Sequence, residues 1–150
     1  MDQELAIVSA DRVEPGYQTE YMAAQSTPEQ MRDLRRRVMQ FLSLSPFPEE
    51  ELSCVEIALG EACTNALRHG SPKGALDEVR VKCMRNAHTL ILEVSDNGRG
   101  FDPALVRPPA PGELREDGMG LLLMRGLMDS VEFEFQIGTT VRFVKHRRPG

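Results

Sequence analysis

Residues 61–70, which read EACTNALRHG, decide the fold of this chain. Each residue of a helix advances by about 100°, so this segment continues one narrow apolar stripe along a longer helix. The stripe consists of Val55, Leu59, Ala62 and Ala66. Glu61 and Asn65 lie one turn apart on the adjoining flank, where a carboxylate can accept a proton from a hydroxyl and an amide oxygen can bind Mg²⁺. Taken alone, these two residues are better explained as part of a solvated helix face.

The same kind of pattern, followed outward in both directions, predicts a series of strands and helices. The predicted elements are a strand at 17–25, helices at 28–44 and 49–70, strands at 78–85 and 89–95, a helix at 118–128, and strands at 131–137 and 139–145. This order predicts an α/β two-layer sandwich, in which helices cover one face of a mixed, mainly antiparallel sheet. Residues 1–16 are either an extension or an edge strand. Gly70 is expected to end the second helix in a left-handed conformation.

Composition and charge argue against several classes of function. The chain has 150 residues and a net charge of −5, which disfavours nucleic acid or anionic lipid as the main partner. No apolar run approaches the roughly 18 residues that span a membrane, and residues 1–4 lack the positive charge of a signal peptide, so a cytoplasmic protein is expected. The three cysteines form no CxxC pair and the three histidines are scattered, so neither a disulfide framework nor a zinc site is indicated.

The first predicted helix carries a basic stripe beside its apolar face. Residues 26–29, which read STPE, are a helix-start signal. Arg32, Arg35 and Arg36 then project away from the apolar positions of the helix. A solvated face and an interaction surface explain this stripe equally well.

Two glycine-containing motifs enclose a long irregular stretch at 96–117. Residues 95–103 read SDNGRGFDP, in which the glycines let the backbone approach a flat ligand while Asp96 can accept a hydrogen bond from an exocyclic amine. Residues 117–121 read DGMGL at the start of a predicted helix, where backbone amides bind phosphate. Each motif is weak alone, because the first is typical of a turn and Gly120 can simply allow close packing. Loops as long as 96–117 are usually functional.

In combination, the three motifs resemble the N, G1 and G2 boxes of the GHKL ATPase superfamily, which has the Bergerat ATP-binding fold. The pattern is Glu61-x-x-x-Asn65, Asp96-x-Gly98-x-Gly100 and Gly118-x-Gly120-Leu121. Residues 61–70, 118–120, 127–129 and 138–141 are similar to one branch in particular, the bacterial anti-sigma factor serine kinases of partner-switching systems. The resemblance covers about residues 17–146, and it identifies 17–150 as a histidine kinase-like ATPase domain.

This resemblance implies a role for each matching polar residue. Glu61 would be the general base for a protein serine hydroxyl, and Asn65 would hold the Mg²⁺ that bridges the phosphates of ATP. Asp96 would bind the adenine amino group, and Thr139 would support the base pocket. His69 would either reach a phosphate or cap its helix.

The remaining implied nucleotide-binding positions lie in the glycine motifs and the segment between them. They are Gly98 and Gly100 around the base, and Arg115, Gly118, Met119, Gly120 and Leu121 near the phosphates. Residues 103–117 would form the ATP lid. Its part at 106–112 is rich in proline and departs from the family pattern, because it lacks a threonine and lysine cluster that some members carry.

The implied function is an ATP-dependent protein serine/threonine kinase. It would phosphorylate a STAS-domain anti-sigma factor antagonist and sequester a sigma factor, using ATP and Mg²⁺. The resemblance also implies a homodimer through the sheet side and the first helix. An alternative is a nucleotide-gated binding module that catalyses no transfer, although the presence of Glu61 favours the kinase. A third option, the catalytic domain of a histidine kinase, is disfavoured because none of the histidines has the context of a phosphoacceptor helix.

Overall fold

The computed structural model describes residues 16–97, 119–136 and 138–149. Its elements are β1 (Gln18–Gln25), α1 (Pro28–Leu42), α2 (Glu49–His69), a 3₁₀ turn (Gly74–Leu76), β2 (Glu78–Arg85), β3 (Thr89–Asp96), α3 (Met119–Leu127), β4 (Ser130–Gln136) and β5 (Gly138–His146). The strands form one sheet in the order β1-β2-β3-β5-β4, and all neighbouring pairs are antiparallel. The predicted α/β two-layer fold is confirmed. Within the ranges given, no helix combines the length and the apolar character needed to cross a membrane.

Helix α1 begins where the sequence signal places it and ends earlier than predicted. The side chain of Thr27 accepts a hydrogen bond from the backbone N–H of Gln30 at 3.2 Å, and Pro28 occupies the first turn. The helix ends at Leu42 instead of residue 44, because the backbone N–H and the hydroxyl of Ser45 both donate to the carbonyl of Leu42. Leu44 is 72% exposed, so no burial would be gained by extending the helix to include it.

Helix α2 buries the stripe that the sequence predicts. Val55, Leu59, Ala62 and Ala66 are all between 0% and 3% exposed. Its end differs from the prediction in one respect, because Gly70 has a φ of −104° and is therefore not left-handed. The last turn is closed instead by two donors to the carbonyl of Ala66, the N–H of Gly70 at 3.0 Å and the hydroxyl of Ser71 at 2.8 Å.

The core lies between the helices and the face of the sheet that they cover, which we call the inner face. The buried inner-face side chains of the central strands are Val79, Val81, Cys83, Leu90, Leu92, Val94, Val141 and Phe143. They share one apolar cluster with the buried faces of α1 and α2. The register of β3 and β5 places Asp96 directly opposite Thr139 at the edge of this core. The sheet therefore brings two polar inner-face residues to the end of α2.

The cysteines are free thiols, two of them in the core. Cys54 is half-buried, whereas Cys63 on α2 and Cys83 on β2 are buried. Burial raises the pKa of Cys63 to about 11, although the nearby charge of Arg35 opposes the shift. Burial, assisted by the charge of Glu20, raises the pKa of Cys83 to about 12. Both thiols are thus protonated at neutral pH and behave as small apolar side chains.

Candidate functional site

Glu61 on α2 lies against the backbone at the start of α3. A β-carbon placed on Gly120 would lie 2.6 Å from Oε2 of Glu61, which is closer than non-bonded atoms can approach. Glu61 itself is half-buried, and α2 and α3 pack against each other along this flank. The absence of a side chain at Gly120 therefore allows the Glu61 carboxylate to lie next to the first turn of α3.

Asp96, the last residue of β3, meets the end of α2 at Gly70. Asp96 is 8% exposed, and a β-carbon on Gly70 would overlap all three atoms of its carboxyl group. Gly138, with a φ of +81°, similarly approaches the backbone of Asp96 so closely that no side chain would fit there. Two glycines thus leave the space in which the carboxyl-terminal end of β3 lies.

Thr139 lies beside Asp96 and has a buried hydroxyl. The N–H of Thr139 donates to Oδ1 of Asp96 at 3.3 Å. The Oγ1 atom of Thr139 is buried and has no hydrogen-bond partner among the described residues. Leaving a buried polar group unsatisfied costs about 1–3 kcal/mol, so this position favours a ligand that brings a hydrogen-bonding atom. A carboxylate acceptor beside a hydroxyl fits the amino edge of adenine.

A narrow crevice joins these residues to α2. Its polar lining consists of Asn65, His69, Asp96 and Thr139, and Val94, Phe133 and Val141 contribute to its apolar lining. The cavity volume is about 20 Å³, which is close to the space that one water molecule needs. A purine is larger, so nucleotide binding at this position requires the crevice to widen.

The described residues thus bring together much of the predicted site. Asn65, His69, Asp96 and Thr139 line one crevice, and Glu61 lies next to Gly120 on the neighbouring flank of α2. Met119 and Leu121 belong to the first turn of α3. Gly98, Gly100, Arg115 and Gly118 lie outside the described residues, as does the predicted lid at 103–117. The roles assigned to all these positions remain predictions.

The donor set suits a cation that arrives with a phosphate ligand. Among the described residues, no group of three or more His, Cys, Asp or Glu side chains could hold a metal ion. Asn65 offers a single amide oxygen, and Mg²⁺ commonly combines few protein ligands with water and phosphate oxygens. The residues present therefore fit Mg²⁺ as part of a nucleotide complex.

Sequence reasoning did not assign site roles to Gly70, Gly138 or Phe133. The sequence predicts a helix cap at Gly70, and the structure shows that its lack of a side chain makes room for Asp96. The only available signal was its position directly after a polar helix flank. The proximity of Gly138 to Asp96 follows from the pairing of β3 with β5. The sequence does not mark Phe133 as a site residue, because it follows the same alternating pattern as the other residues of its strand.

Comparison with known proteins finds a matching family and several similar chains. Residues 24–145 match the histidine kinase-like ATPase domain family. The chain is 31% identical over 134 residues to the serine-protein kinase RsbW of Bacillus pumilus, covering 83% of each chain. It is 30% identical over 118 residues to the anti-sigma F factor of Bacillus subtilis, covering 75% of this chain and 81% of that protein.

A solved structure shares the fold. The crystal structure of the RsbU and RsbW domains of a Mycobacterium tuberculosis protein superimposes with a TM-score of 0.65 at 15% identity. The match covers 89% of this chain and 34% of that longer chain. At this identity the likeness concerns the arrangement of helices and strands alone.

Proposed function

The chain belongs to the histidine kinase-like ATPase domain family, and from this premise we propose that it is an ATP-dependent protein serine kinase of the anti-sigma factor type. Relatives that match most of its length are named serine-protein kinase RsbW and anti-sigma F factor. In this proposal the chain transfers the γ-phosphoryl group of ATP to a serine or threonine of a STAS-domain antagonist. It also holds a sigma factor, for which the unphosphorylated antagonist competes.

One observation carries the proposal, namely the position of Glu61 between the crevice and the start of α3. Its carboxylate lies against Gly120, in the turn whose backbone amides are the proposed phosphate ligands. Asn65, one helical turn further along α2, lines the crevice that contains Asp96. Glu61, the proposed general base, is therefore near the proposed phosphate end of the nucleotide. Asp96, the proposed acceptor for the adenine amino group, lies at the other end.

The proposed division of labour follows from these positions. Asp96 accepts a hydrogen bond from the adenine amino group, and the hydroxyl of Thr139 forms a hydrogen bond with the base. Asn65 would hold Mg²⁺, which when bound neutralises charge on the phosphates. Glu61 takes the proton from the acceptor hydroxyl. The oxygen of that hydroxyl bonds to the γ-phosphorus, and ADP leaves. Phosphoryl transfer depends mainly on positioning and on charge stabilisation, so this small set of groups is sufficient.

A basic groove on α1 supports the binding of an acidic partner surface. It has a volume of about 460 Å³, and Arg32, Arg35, Arg36 and Glu56 are among its lining residues. Arg35 packs against Gly60 of α2, where a β-carbon would lie 3.1 Å from its guanidinium nitrogen. The three arginines give the groove a positive lining, so we assign it to the binding of an acidic protein surface.

The proposal is tested by the intact mass of candidate acceptors. The full chain is incubated with Mg²⁺, ATP and each STAS-domain protein of the native host in turn. We expect one of these proteins to gain a single phosphoryl group, and we expect no gain when Mg²⁺ is omitted. With Glu61→Gln in place of the wild-type chain, the gain should be slower by about 10²–10⁴. Binding of ATP without transfer to any of them would favour the nucleotide-gated binding module instead.

A further inference from the structure

Lys145 is a buried lysine near the end of β5, at a position where the strand pattern favours an apolar side chain. The inner-face residues of this strand are Thr139, Val141, Phe143 and Lys145, and all four are buried. Lys145 itself is only 3% exposed. Burying a charge is unfavourable unless the charge is paired. Among the residues that the structure describes, Lys145 forms no ion pair with a carboxylate, so another group must compensate for its burial.

The carbonyl of Leu127, the last residue of α3, is the group that Lys145 binds. Nζ of Lys145 donates a hydrogen bond to this carbonyl oxygen at 2.8 Å. The last carbonyl groups of a helix have no partner within the helix, and the aligned peptide dipoles give that end a partial negative charge. The ammonium group therefore supplies both a donor and an opposite charge to the end of α3.

Asp129 connects the same end of α3 to β5. Its backbone N–H donates to the carbonyl of Val144 at 2.9 Å. Its Oδ2 accepts a hydrogen bond from the backbone N–H of His146 at 2.6 Å. Together with the bond from Lys145, three hydrogen bonds thus join residues 127–129 to the end of β5.

The opposite end of α3 lies against Glu61. Gly120, in the first turn, approaches the Glu61 carboxylate so closely that a β-carbon would lie 2.6 Å from Oε2. The helix has nine residues, which correspond to about 12 Å at roughly 1.5 Å per residue. Such a short helix moves as one piece, because each turn is hydrogen-bonded to the next. A change in where Leu127 is held therefore changes where Gly120 lies.

We propose that Lys145 is a positioning residue, which holds the first turn of α3 against Glu61 by fixing the other end of the helix. The strand that carries Lys145 also carries Thr139, which lies beside Asp96 at the proposed adenine end of the crevice. β5 therefore sets the distance between the two ends of the site. The importance of Lys145 for ATP rests on the proposed function, in which the first turn of α3 binds phosphate.

The first test measures the position of α3 without any ligand, so it does not depend on the proposed function. Lys145→Met removes the ammonium group and nearly keeps the length of the side chain. In the full-length protein, we expect the amide resonance of Gly120 and the carboxyl resonance of Glu61 to shift. Hydrogen exchange at the Met128 amide, which bonds to the Met124 carbonyl at 3.0 Å, should rise about tenfold or more, because the end of α3 loses a bond to a charged group. Unchanged Gly120 and Glu61 resonances in the folded variant would overturn the proposal.

The matched control is Lys82→Met, which removes a second buried lysine. Lys82 is 8% exposed and lies on β2, on the face of the sheet opposite the inner face. Its loss should leave the Gly120 resonance in place. Asp129→Ala tests the same junction at an exposed position if Lys145→Met does not fold, and Gly120 should shift in this variant too. A Gly120 resonance that moves as far in Lys82→Met, or that stays in place in Asp129→Ala, would contradict the proposal.

The second test separates positioning from a general loosening of the fold. Lys145→Met should lower ATP affinity about tenfold, whereas the preference for ATP over GTP should stay as in the wild type, because Asp96 and Thr139 are untouched. Competition between the two nucleotides measures both quantities. Loss of the preference together with the affinity would mean that the whole crevice has loosened, and the positioning role would be wrong. A displaced Gly120 with unchanged ATP affinity would support the positioning role and remove α3 from phosphate binding in the proposed function.

Discussion

The carboxyl group of Asp96 occupies the space that a side chain at Gly70 would fill. A β-carbon on Gly70 would overlap the carboxyl atoms of Asp96, which join the end of β3 to the end of α2. Gly70 is buried, and its φ of −104° is accessible to any residue. Its backbone conformation therefore does not require glycine, whereas the position of Asp96 does.

Gly70→Ala should therefore weaken ATP binding by displacing the carboxylate. Loss of one well-placed hydrogen bond to a buried charged group corresponds to about tenfold or more in the dissociation constant. Calorimetric titration of ATP into the variant measures this change. Gly126→Ala is the matched control, because among the described residues no atom beyond the backbone of α3 itself lies within 4 Å of the added carbon. The control should bind ATP normally and gain roughly 0.5–1 kcal/mol of helix stability. Normal ATP affinity in a folded Gly70→Ala protein would contradict the steric role of Gly70.

Asp96→Asn tests the chemistry of the same position without changing its volume. An amide presents a donor as well as an acceptor, so the adenine amino group loses the charged acceptor that the carboxylate provides. We expect ATP affinity to fall at least about tenfold and the preference for ATP over GTP to shrink. Competition between the two nucleotides reports both quantities. Equal discrimination by the wild type and the variant would remove Asp96 from the adenine site.

The sequence was sufficient to predict the fold because the periodic patterns are long. Helix α2 is 21 residues long, and all four positions of its predicted apolar stripe are buried. Thr27 and Pro28 also mark the start of α1 correctly. The end of α1 was harder to predict, because it depends on a local competition in which Ser45 binds the carbonyl of Leu42.

The sequence predicts which types of residue form the site, but it does not predict the distances between them. The motifs indicate which acids and glycines matter, yet Gly70 and Asp96 are 26 positions apart in the sequence, and only the packing of α2 on β3 brings them together. The same applies to Glu61 and Gly120. Met84 is 0% exposed, which the sequence could not predict either, because alternation along β2 predicts a solvated position there.

Cys63 should make stability fall at alkaline pH. Its pKa of about 11 in the folded protein exceeds the ordinary value of 9.0, so its contribution to stability is fully present below pH 9 and is lost as the pH rises towards 11. Between about pH 8 and about pH 10 this thiol alone should lower the free energy of unfolding by about 1.3 kcal/mol. In urea denaturation of Cys63→Ala, the fall in the free energy of unfolding over this pH range should be smaller than in the wild type by this amount.

Val55→Ala is the matched control for the thiol. Val55 is a buried, non-titrating residue of the same helix at 1% exposure, so its truncation removes packing without removing a proton. Its unfolding free energy should be lower than that of the wild type by a similar amount at each pH. If Cys63→Ala and Val55→Ala follow the same pH profile, the raised pKa of Cys63 does not contribute to stability.

Glu61→Gln should separate nucleotide binding from phosphoryl transfer. The amide keeps the size and polarity of the side chain beside Gly120, so ATP affinity should change by no more than a few-fold. The amide cannot accept the proton of the acceptor hydroxyl, and general-base assistance is typically worth about 10²–10⁴ in rate. Single-turnover transfer to the cognate STAS-domain protein, measured at saturating ATP, should fall by a factor in that range. An unimpaired rate would exclude Glu61 as the base.

Gly120→Ala provides a second and independent test of the same position. The new methyl group would lie 2.6 Å from Oε2 of Glu61, so the carboxylate must move away from the start of α3. The glutamate is still present near the site, and therefore only its placement changes. We expect transfer to fall less than in Glu61→Gln, and we expect the double variant to be no slower than Glu61→Gln alone, because both changes act through one carboxylate. If the losses in transfer rate multiply in the double variant, Gly120 acts on the phosphates directly. The placement of Glu61 would then not depend on Gly120.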